Sequence, residues 1–255
     1  MSQYASYPSL KDRVVFVTGG ASGIGESIVE HFCGQGADVT FVDIADEAAA
    51  ALIARIGEAG HRPPRYIPCD VRNVPALQSA IRDTGEARGA IGTLVNNVAN
   101  DARHSIEEVT VEYWDDRMAL NLRPCFFATQ AVIEQMKPAG GGTIVNIGSF
   151  TGYRLEGGFP GYSAAKAGIW GLTRAFARDL GKHNIRVNLA MPGWTMTQRQ
   201  IDLWLTPEGE AEIAMKQCLP DKVYPADVAR MALFLAADDS RMCSAQEFIV
   251  DGGWV

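Results

Sequence analysis

The amino-acid sequence predicts a single α/β domain in which a seven-stranded parallel sheet is covered by helices on both faces. Several short apolar runs, such as residues 14–17 and 143–147, are continuous rather than alternating. Such runs are typical of strands buried on both faces. The runs alternate with helical segments over most of the 255 residues, which favours a βαβα order and therefore parallel strands. Because the linkers are short and no internal repeat occurs, residues 1–255 are expected to form one domain.

Each predicted element follows from local pattern. The predicted strands cover residues 13–18, 38–42, 65–69, 92–95, 142–148, 185–190 and 246–250. The first helix has Ile24, Ile28 and Phe32 on one face and ends at the glycines 34 and 36. Further helices are predicted to start near residue 46, to pass through residues 77–81, and to cover about 107–122, 125–137 and 162–180. The stretch 194–219 is predicted to be a long loop.

Composition excludes several classes of protein. The net charge of −7 and the absence of a dense Lys/Arg cluster argue against nucleic-acid binding. No apolar run approaches the roughly 18 residues needed to span a bilayer, and the polar N-terminus lacks a signal peptide, so a cytoplasmic protein without a membrane partner is expected. The five cysteines show no Cys-x-x-Cys spacing and the four histidines no metal-ligand spacing. We therefore expect free, buried thiols and no metal site.

A glycine-rich turn joins the first strand to the first helix. It contains Gly19, Ser22, Gly23, Ile24 and Gly25. A strand, a glycine turn and a helix N-terminus together can hold a pyrophosphate, because the backbone approaches the anion closely and free N–H groups point at it. The spacing G-x-x-x-G-x-G differs from the usual dinucleotide fingerprint, and a tight turn needs glycine in any case. The turn alone is therefore compatible with either role.

An acidic residue ends the second predicted strand. Asp43 lies 18 residues beyond Gly25 and is followed by Ile44. A carboxylate at this place can accept hydrogen bonds from the adenosine ribose and would repel a 2′-phosphate. No Arg or Lys stands in the glycine turn or directly after Asp43 to offset that repulsion, so the sequence favours NAD over NADP. The alternative is a surface Asp that caps the helix starting near Asp46.

Three polar residues around the end of the fifth strand suggest proton transfer. Ser149 follows the apolar run, and Tyr162 and Lys166 are four residues apart in a helical stretch. That spacing places the phenol and the ammonium one turn apart on the same helix face. A neighbouring ammonium and a positively charged nicotinamide ring would stabilise the phenolate, so a fall of about 2–3 units in the pKa of Tyr162 is expected. On its own, Tyr-x-x-x-Lys can equally be ordinary helix composition.

Taken together, these motifs resemble the short-chain dehydrogenase/reductase family over the whole chain. The resemblance rests on motifs in the family's order: Thr18-Gly19-x-x-x-Gly23-Ile24-Gly25, Asp43, Asp70-Val71, Asn96-Asn97-Val98-Ala99, Asn121, Ser149, Tyr162-x-x-x-Lys166 and Pro192-Gly193-Trp194-Thr195-Met196-Thr197. The family usually has Asn-Asn-Ala-Gly where this chain has Val98 and Ala99. The resemblance implies a single-domain, doubly wound Rossmann fold and an NAD-dependent dehydrogenase.

The resemblance also implies roles for individual residues. The implied catalytic residues are Asn121, Ser149, Tyr162 and Lys166. The implied cofactor-binding residues are Gly19, Ser22, Gly23, Ile24, Gly25, Asp43, Ile44, Asp70, Val71, Asn97, Tyr162, Lys166, Pro192, Thr195 and Thr197. In these roles Tyr162 is the general base, Ser149 orients the substrate oxygen and Asn121 holds a water that connects Lys166 to solvent. A homotetramer is implied as well, through the helices of residues 107–137 and 162–180 and the C-terminal strand.

The substrate is expected to lie between the polar stretch 100–104 and the loop 194–219. Asn100, Ser149, Trp194 and Gln198 are the candidate substrate-binding residues, because hydroxyl groups need polar partners and an indole packs on the C–H face of a sugar. Stretches such as 100–104 and 206–211 are similar to bacterial NAD-dependent aldose dehydrogenases that oxidise C1 of a D-xylose-type sugar. A monosaccharide is therefore the expected substrate. Alternatives are another secondary alcohol (a polyol, hydroxy acid or 3-oxoacyl group), or tryptophans that only pack the loop beside a surface ion pair of Asp101 with Arg103.

Overall fold

A computed structural model describes residues 4–255 and contains one sheet of seven parallel strands. The strands are β1 (Val14–Thr18), β2 (Asp38–Asp43), β3 (Arg65–Pro68), β4 (Thr93–Asn96), β5 (Gly142–Ile147), β6 (Ile185–Pro192) and β7 (Glu247–Val250). Their order across the sheet is β3-β2-β1-β4-β5-β6-β7, and every neighbouring pair is parallel. The order reverses between β1 and β4, so the sheet is doubly wound, as predicted.

Helices connect the strands in the predicted alternation. Within the described residues they are α1 (Gly23–Gly34), α2 (Asp46–Glu58), α3 (Val74–Arg88), α4 (Val111–Asn121), α5 (Arg123–Met136), α6 (Pro160–Leu180), α7 (Gln198–Leu203), α8 (Pro207–Lys216) and α9 (Pro225–Ala236). Helices α1, α2 and α9 cover one face of the sheet, and α3, α5 and α6 cover the other. Helix α4 packs on α5 and α6.

Two hydrophobic cores lie on opposite faces of the sheet. Neighbouring residues of β1 show the division: Val15 and Val17 belong to the core beneath α1 and α9, and Phe16 belongs to the core beneath α3 and α5. Side chains alternate between the two faces of a strand, so a strand buried on both faces must be apolar at every position. This is why the predicted runs were continuous, and all five residues of β1 are buried.

Two predicted helix starts and one predicted loop differ from the structure. Helix α4 begins at Val111 and not near residue 107, because the Thr110 hydroxyl accepts a hydrogen bond from the backbone N–H of Tyr113 and so caps the helix there. Helix α6 begins two residues before Tyr162, at Pro160, in the first turn where proline needs no hydrogen-bond partner for its nitrogen. The stretch 194–219 is not one loop: Thr197 caps α7 and Thr206 caps α8.

The expectations about cysteines, metals and membranes can be compared with the residues described. All five cysteines are free; Cys33, Cys69 and Cys125 are buried, Cys243 is half-buried, and Cys218 is exposed, contrary to the prediction that all are buried. Between residues 4 and 255, no three His, Cys, Asp or Glu side chains are grouped as a metal would require. No helix in the same range combines the length and the apolarity that crossing a membrane would take.

The turn after β1 is packed too closely for side chains. A Cβ on Gly25, in the first turn of α1, would lie 1.8 Å from the carbonyl oxygen of Gly19 and 2.5 Å from Nδ2 of Asn97. Gly19 itself has a φ of +70°, a conformation that other residues rarely adopt. The contact between α1 and the turn therefore requires glycine at position 25.

We expect Gly25→Ala to destabilise the protein by about 1–3 kcal/mol, because the backbone must move apart to admit the methyl group. Urea unfolding followed by circular dichroism measures this. The matched control is Gly57→Ala in α2, where the added Cβ would meet only Pro63 at an ordinary 3.6 Å. The control should be neutral or stabilising by up to about 1 kcal/mol. Equal stabilities of the two variants would contradict the prediction.

Candidate active site

The carboxyl ends of the central strands open into one cleft of about 780 Å³. The strands are parallel, so the turns that follow them meet at the same edge of the sheet. Almost all the predicted site residues line this cleft: Gly19, Ser22, Gly23, Ile24, Gly25, Asp43, Ile44, Asp70, Val71, Asn97, Asn100, Ser149, Tyr162, Pro192, Trp194, Thr195, Thr197 and Gln198. Asn121 and Lys166 do not line it and are buried, with exposed fractions of 2% and 3%.

The glycine turn presents free backbone donors to the cleft. Glu26 is the first residue of α1 whose N–H bonds back along the chain, to the carbonyl of Ser22 at 3.2 Å. The preceding N–H groups therefore have no partner within the helix. The side-chain amide of Asn97 donates to the carbonyls of Thr18 (3.2 Å) and Gly19 (2.8 Å) and fixes the turn from the neighbouring strand. This end of the cleft fits the pyrophosphate of a dinucleotide.

Asp43 closes the turn rather than capping a helix. Its carboxylate accepts hydrogen bonds from the backbone N–H groups of Ala21 (2.9 Å), Ile44 (2.7 Å) and Ala45 (3.2 Å). The residue at the N-cap of α2 is Ala45, which has no capping side chain. The capping alternative is therefore excluded, and the carboxylate stays in the cleft wall.

A second acidic residue, Asp70, also lines the cleft. It follows β3, the strand that pairs with β2, and β2 ends at Asp43. Arg72 contacts Asp70 at 2.6 Å and Asp116 at 2.9 Å. The hydrogen bond from Arg72 holds the pKa of Asp70 below its usual value. Arg72 lines the cleft, but two carboxylates already neutralise its charge.

Ser149 and Tyr162 meet at the other end of the cleft. Burial raises the pKa of Tyr162 to about 12, and a hydrogen bond with Ser149 acts in the opposite direction. The predicted fall in this pKa is therefore not found in the protein alone, because loss of solvent outweighs the nearby hydrogen bond. At neutral pH the phenol of the protein alone carries its proton.

Lys166 lies beneath Tyr162 and is bound from within the fold. Its Nζ donates a 2.7 Å hydrogen bond to the backbone carbonyl of Ile147, at the end of β5. The same atom is 5.7 Å from the centroid of the Tyr162 ring. Burial lowers the pKa of Lys166 to about 8, so the ammonium form still predominates at neutral pH.

Asn121 ends α4 close to the loop after β4. Its Oδ1 accepts a 2.7 Å hydrogen bond from the backbone N–H of Asn100. Its Nδ2 is buried and has no hydrogen-bond partner among the described residues. A buried amide donor without a partner is costly, so this group is suited to hold a small polar ligand such as water.

The segment after β6 carries the remaining predicted cofactor residues. Thr195 is buried, and its hydroxyl donates to the carbonyl of Gly193 at 3.1 Å. The Thr197 hydroxyl accepts from the backbone N–H of Gln200 at 3.3 Å. Both hydroxyls thus shape the chain that leaves Pro192 along the cleft wall.

The predicted substrate residues line the cleft but most of their polar atoms bond within the protein. Oδ1 of Asn100 accepts from the N–H of Ala102, and Gln198 donates to Asp202. The indole N–H of Trp194 donates to Gln200 at 3.0 Å. Trp194 therefore packs the helical segment, as the alternative interpretation held, and also faces the cleft.

The alternative of an ion pair between Asp101 and Arg103 is wrong. Asp101 accepts hydrogen bonds from Gln200 (2.8 Å) and Arg199 (3.4 Å), which belong to α7. Arg103 instead stacks on Phe159 and Trp204. Asp101 and Arg103 do not pair because α7, which was predicted to be loop, places Arg199 and Gln200 beside Asp101.

The sequence predicts that the stretch 151–161 forms one wall of the pocket, and Arg154, Glu156 and Phe159 of that stretch do line the cleft. Gln200 of α7 also lines the cleft and was not predicted. Arg154 contacts Glu156 at 3.0 Å and stacks on Trp254. These residues belong to segments without a recognisable motif. The signal in the sequence that 194–219 is not a simple loop was Thr206-Pro207, a capping threonine followed by proline at the first helical position.

Comparison with known proteins agrees with this geometry. The family model described as "Enoyl-(Acyl carrier protein) reductase" matches residues 19–255. D-xylose 1-dehydrogenase of Caulobacter vibrioides is 45% identical over 250 residues, covering 98% of each chain. "Probable galactose dehydrogenase GalD" of Rhizobium meliloti is 45% identical over 249 residues, covering 98% of this chain and 97% of the relative. A short-chain type dehydrogenase/reductase structure from Mycobacterium ulcerans has a TM-score of 0.91 at 27% identity, covering 98% and 91%.

The predicted Rossmann fold is confirmed by the likeness to solved structures and by the seven parallel strands. The family match extends over the glycine turn, both core faces and the segment after β6. The chain therefore belongs to the short-chain dehydrogenase/reductase family, oxidoreductases that act on CH–OH groups with a nicotinamide cofactor.

Proposed function

We propose that this protein oxidises an aldose at its anomeric C1 to the lactone, with NAD as the acceptor. The observation that carries the proposal is the full-length similarity, at 45% identity, to a D-xylose and a galactose dehydrogenase. The cleft supports it, because a hydroxyl, a phenol and a buried ammonium converge at one end and free backbone donors lie at the other. Polar groups from α7 and the loop after β4 wall the space between them.

Tyr162 is proposed as the general base. Its phenolic oxygen takes the proton from the C1 hydroxyl, while Ser149 holds that hydroxyl in place through its own oxygen. The nicotinamide ring of a bound cofactor supplies the hydride acceptor and a positive charge. Tyr162 starts from a pKa of about 12, so it becomes a base only when added positive charge stabilises the phenolate. Each unit of lowering corresponds to about 1.4 kcal/mol.

Lys166 and Asn121 are proposed to connect Tyr162 to a route for its proton. The Lys166 ammonium donates to the Ile147 carbonyl with one of its three protons, which leaves two donors for a cofactor ribose and for water. The unpartnered Nδ2 of Asn121 is a site for that water. This chain of donors gives the proton of Tyr162 a route away from the substrate.

The cofactor residues are proposed as the sequence predicted them. The free N–H groups at the start of α1 bind the pyrophosphate. Asp43 faces the ribose of the adenosine half, and its negative charge disfavours a 2′-phosphate. Val71 is buried beside Asp70 in the wall where an adenine ring would lie, and Thr195 and Thr197 shape the wall for the carboxamide. The cytoplasmic location and the homotetramer stay predictions.

The substrate assignment predicts NAD reduction with aldoses. Absorbance at 340 nm would be followed with D-xylose, L-arabinose, D-galactose and D-glucose, and with polyols and hydroxy acids as comparison substrates. We expect kcat/KM to be highest for a pentose or hexose, and a lactone or its aldonic acid as the product. Turnover of a polyol or hydroxy acid with none of any aldose would contradict the proposal.

The base assignment predicts that Tyr162→Phe lowers kcat by about 10²–10⁴-fold, because the ring is kept and only the proton acceptor is lost. The dissociation constant for NAD, measured by fluorescence titration, should change little. The matched control is Tyr153→Phe, the same chemical change at an exposed tyrosine whose hydroxyl contacts Glu247. If Tyr162→Phe retained the turnover of the control, Tyr162 would not be the base.

The cofactor assignment predicts that Asp43→Asn raises the ratio of kcat/KM with NADP to that with NAD by about tenfold or more. A carboxylate repels the 2′-phosphate and a neutral amide of the same size does not. Glu47→Gln is the control, since Glu47 is an exposed acid of α2 in which the charge change is the same. A ratio unchanged from that of the control would show that Asp43 does not select the cofactor.

A further inference from the structure

One cleft arginine differs from the others in its ion pairs. Five arginines line the cleft: Arg72, Arg103, Arg117, Arg154 and Arg199. Four of them contact a carboxylate. Arg72 contacts Asp70 and Asp116, and Arg117 contacts Asp116. Arg154 contacts Glu156 and Glu212, and Arg199 contacts Asp101. Within residues 4–255, no carboxylate lies at ion-pair distance from Arg103, and none of its N–H groups has a hydrogen-bond acceptor.

Arg103 is nevertheless held in a defined position. Its guanidinium carbon lies 4.0 Å from the ring centroid of Phe159 and 5.0 Å from that of Trp204. A guanidinium stacked on aromatic rings keeps its N–H groups at the edge of the stack, where they remain able to donate. The two rings come from different segments, one preceding α6 and one following α7. The orientation is thus fixed without use of any donor.

This guanidinium lies beside the proposed base. The Phe159 ring that carries Arg103 contacts the Tyr162 ring edge to face, with centroids 6.0 Å apart. Both residues line the same cleft as Ser149. Arg103 is therefore close enough to Tyr162 for both side chains to contact one small substrate in the cleft.

We propose that Arg103 is a specificity-determining residue that binds two neighbouring ring hydroxyls of the aldose away from C1. The inference rests on the proposed function and adds to it the group that separates sugars from simple alcohols. The planar guanidinium offers parallel N–H donors at the spacing of two adjacent oxygens. Sugar hydroxyl groups can accept these hydrogen bonds although they are uncharged. Asp101 does not compete for Arg103, because its carboxylate is already bound by Arg199 and Gln200.

The test compares Arg103→Gln with Arg82→Gln. Arg82 is an exposed arginine of α3 outside the cleft, so the control removes the same charge. With the best aldose, kcat/KM of Arg103→Gln should fall by about 10- to 100-fold, mostly through KM, because hydrogen bonds from a charged donor are lost. The KM for NAD should match that of the control, and the midpoint of thermal unfolding should fall by no more than about 4 °C, the effect of losing the stacking on Phe159 and Trp204.

Deoxy sugars show which hydroxyls Arg103 contacts. Analogues of the best aldose that lack the hydroxyl at C2, C3 or C4 would be assayed with the wild type and with Arg103→Gln. We expect the wild type to lose activity with two adjacent deoxy analogues, and Arg103→Gln to show no further loss with the same two. This loss of additivity identifies a direct contact.

The outcomes separate the two proposals. If the wild type oxidises aldoses and Arg103→Gln retains the kcat/KM of Arg82→Gln, or if the deoxy penalties are the same in both proteins, the role of Arg103 is overturned and the proposed function stands. A fall in NAD affinity alone would assign Arg103 to the cofactor and overturn the inference too. If the wild type oxidises no aldose, the proposed function fails, and the sugar contact with it.

Discussion

The site depends on the requirement that all seven strands run parallel. Parallel strands place every carboxyl end at one edge of the sheet, so the turns after β1, β2, β4, β5 and β6 share one cleft although they are far apart in the chain. Both faces must then be covered by helices, which forces apolar residues at nearly every strand position. Polar residues are consequently concentrated where strands end, as Asp43 and Asn97 show.

Within this frame, the hydrogen bond from Lys166 to the Ile147 carbonyl joins the chemistry to the fold. It ties the second turn of α6 to the end of β5 and so sets the height of Tyr162, one turn earlier, above the sheet. The same burial that allows this contact lowers the pKa of Lys166 to about 8 and raises that of Tyr162 to about 12. Both shifts favour the neutral form, but Lys166 still keeps its proton at neutral pH, so it is the phenol of Tyr162 that stays uncharged until a ligand supplies further positive charge.

The strands, most of the helices and most of the residues that line the cleft could be inferred from sequence because each has a local cause. A continuous apolar run, a glycine turn or a Tyr-x-x-x-Lys spacing predicts the local structure around it directly. The direction in which the pKa of Tyr162 shifts could not be inferred, since it depends on how much solvent the surrounding loops exclude. The partners of Asp101 and Arg103 were missed for a similar reason: they are set by α7 and by Phe159, which contact them only after the chain has folded.

The covering of the cleft explains why desolvation can assist the proposed reaction although it opposes the base in the protein alone. Asp101 binds Gln200, and Gln200 in turn accepts from Trp194, so the loop after β4 and helix α7 are joined across the cleft. Removal of water strengthens every remaining electrostatic interaction. A phenolate that is costly in the protein alone therefore gains more from a positive charge beside it than it would in an open site. In the proposed mechanism, Tyr162 would therefore become a base only when a cofactor is bound, and the C1 hydroxyl of a sugar would not be deprotonated without an acceptor for its electrons.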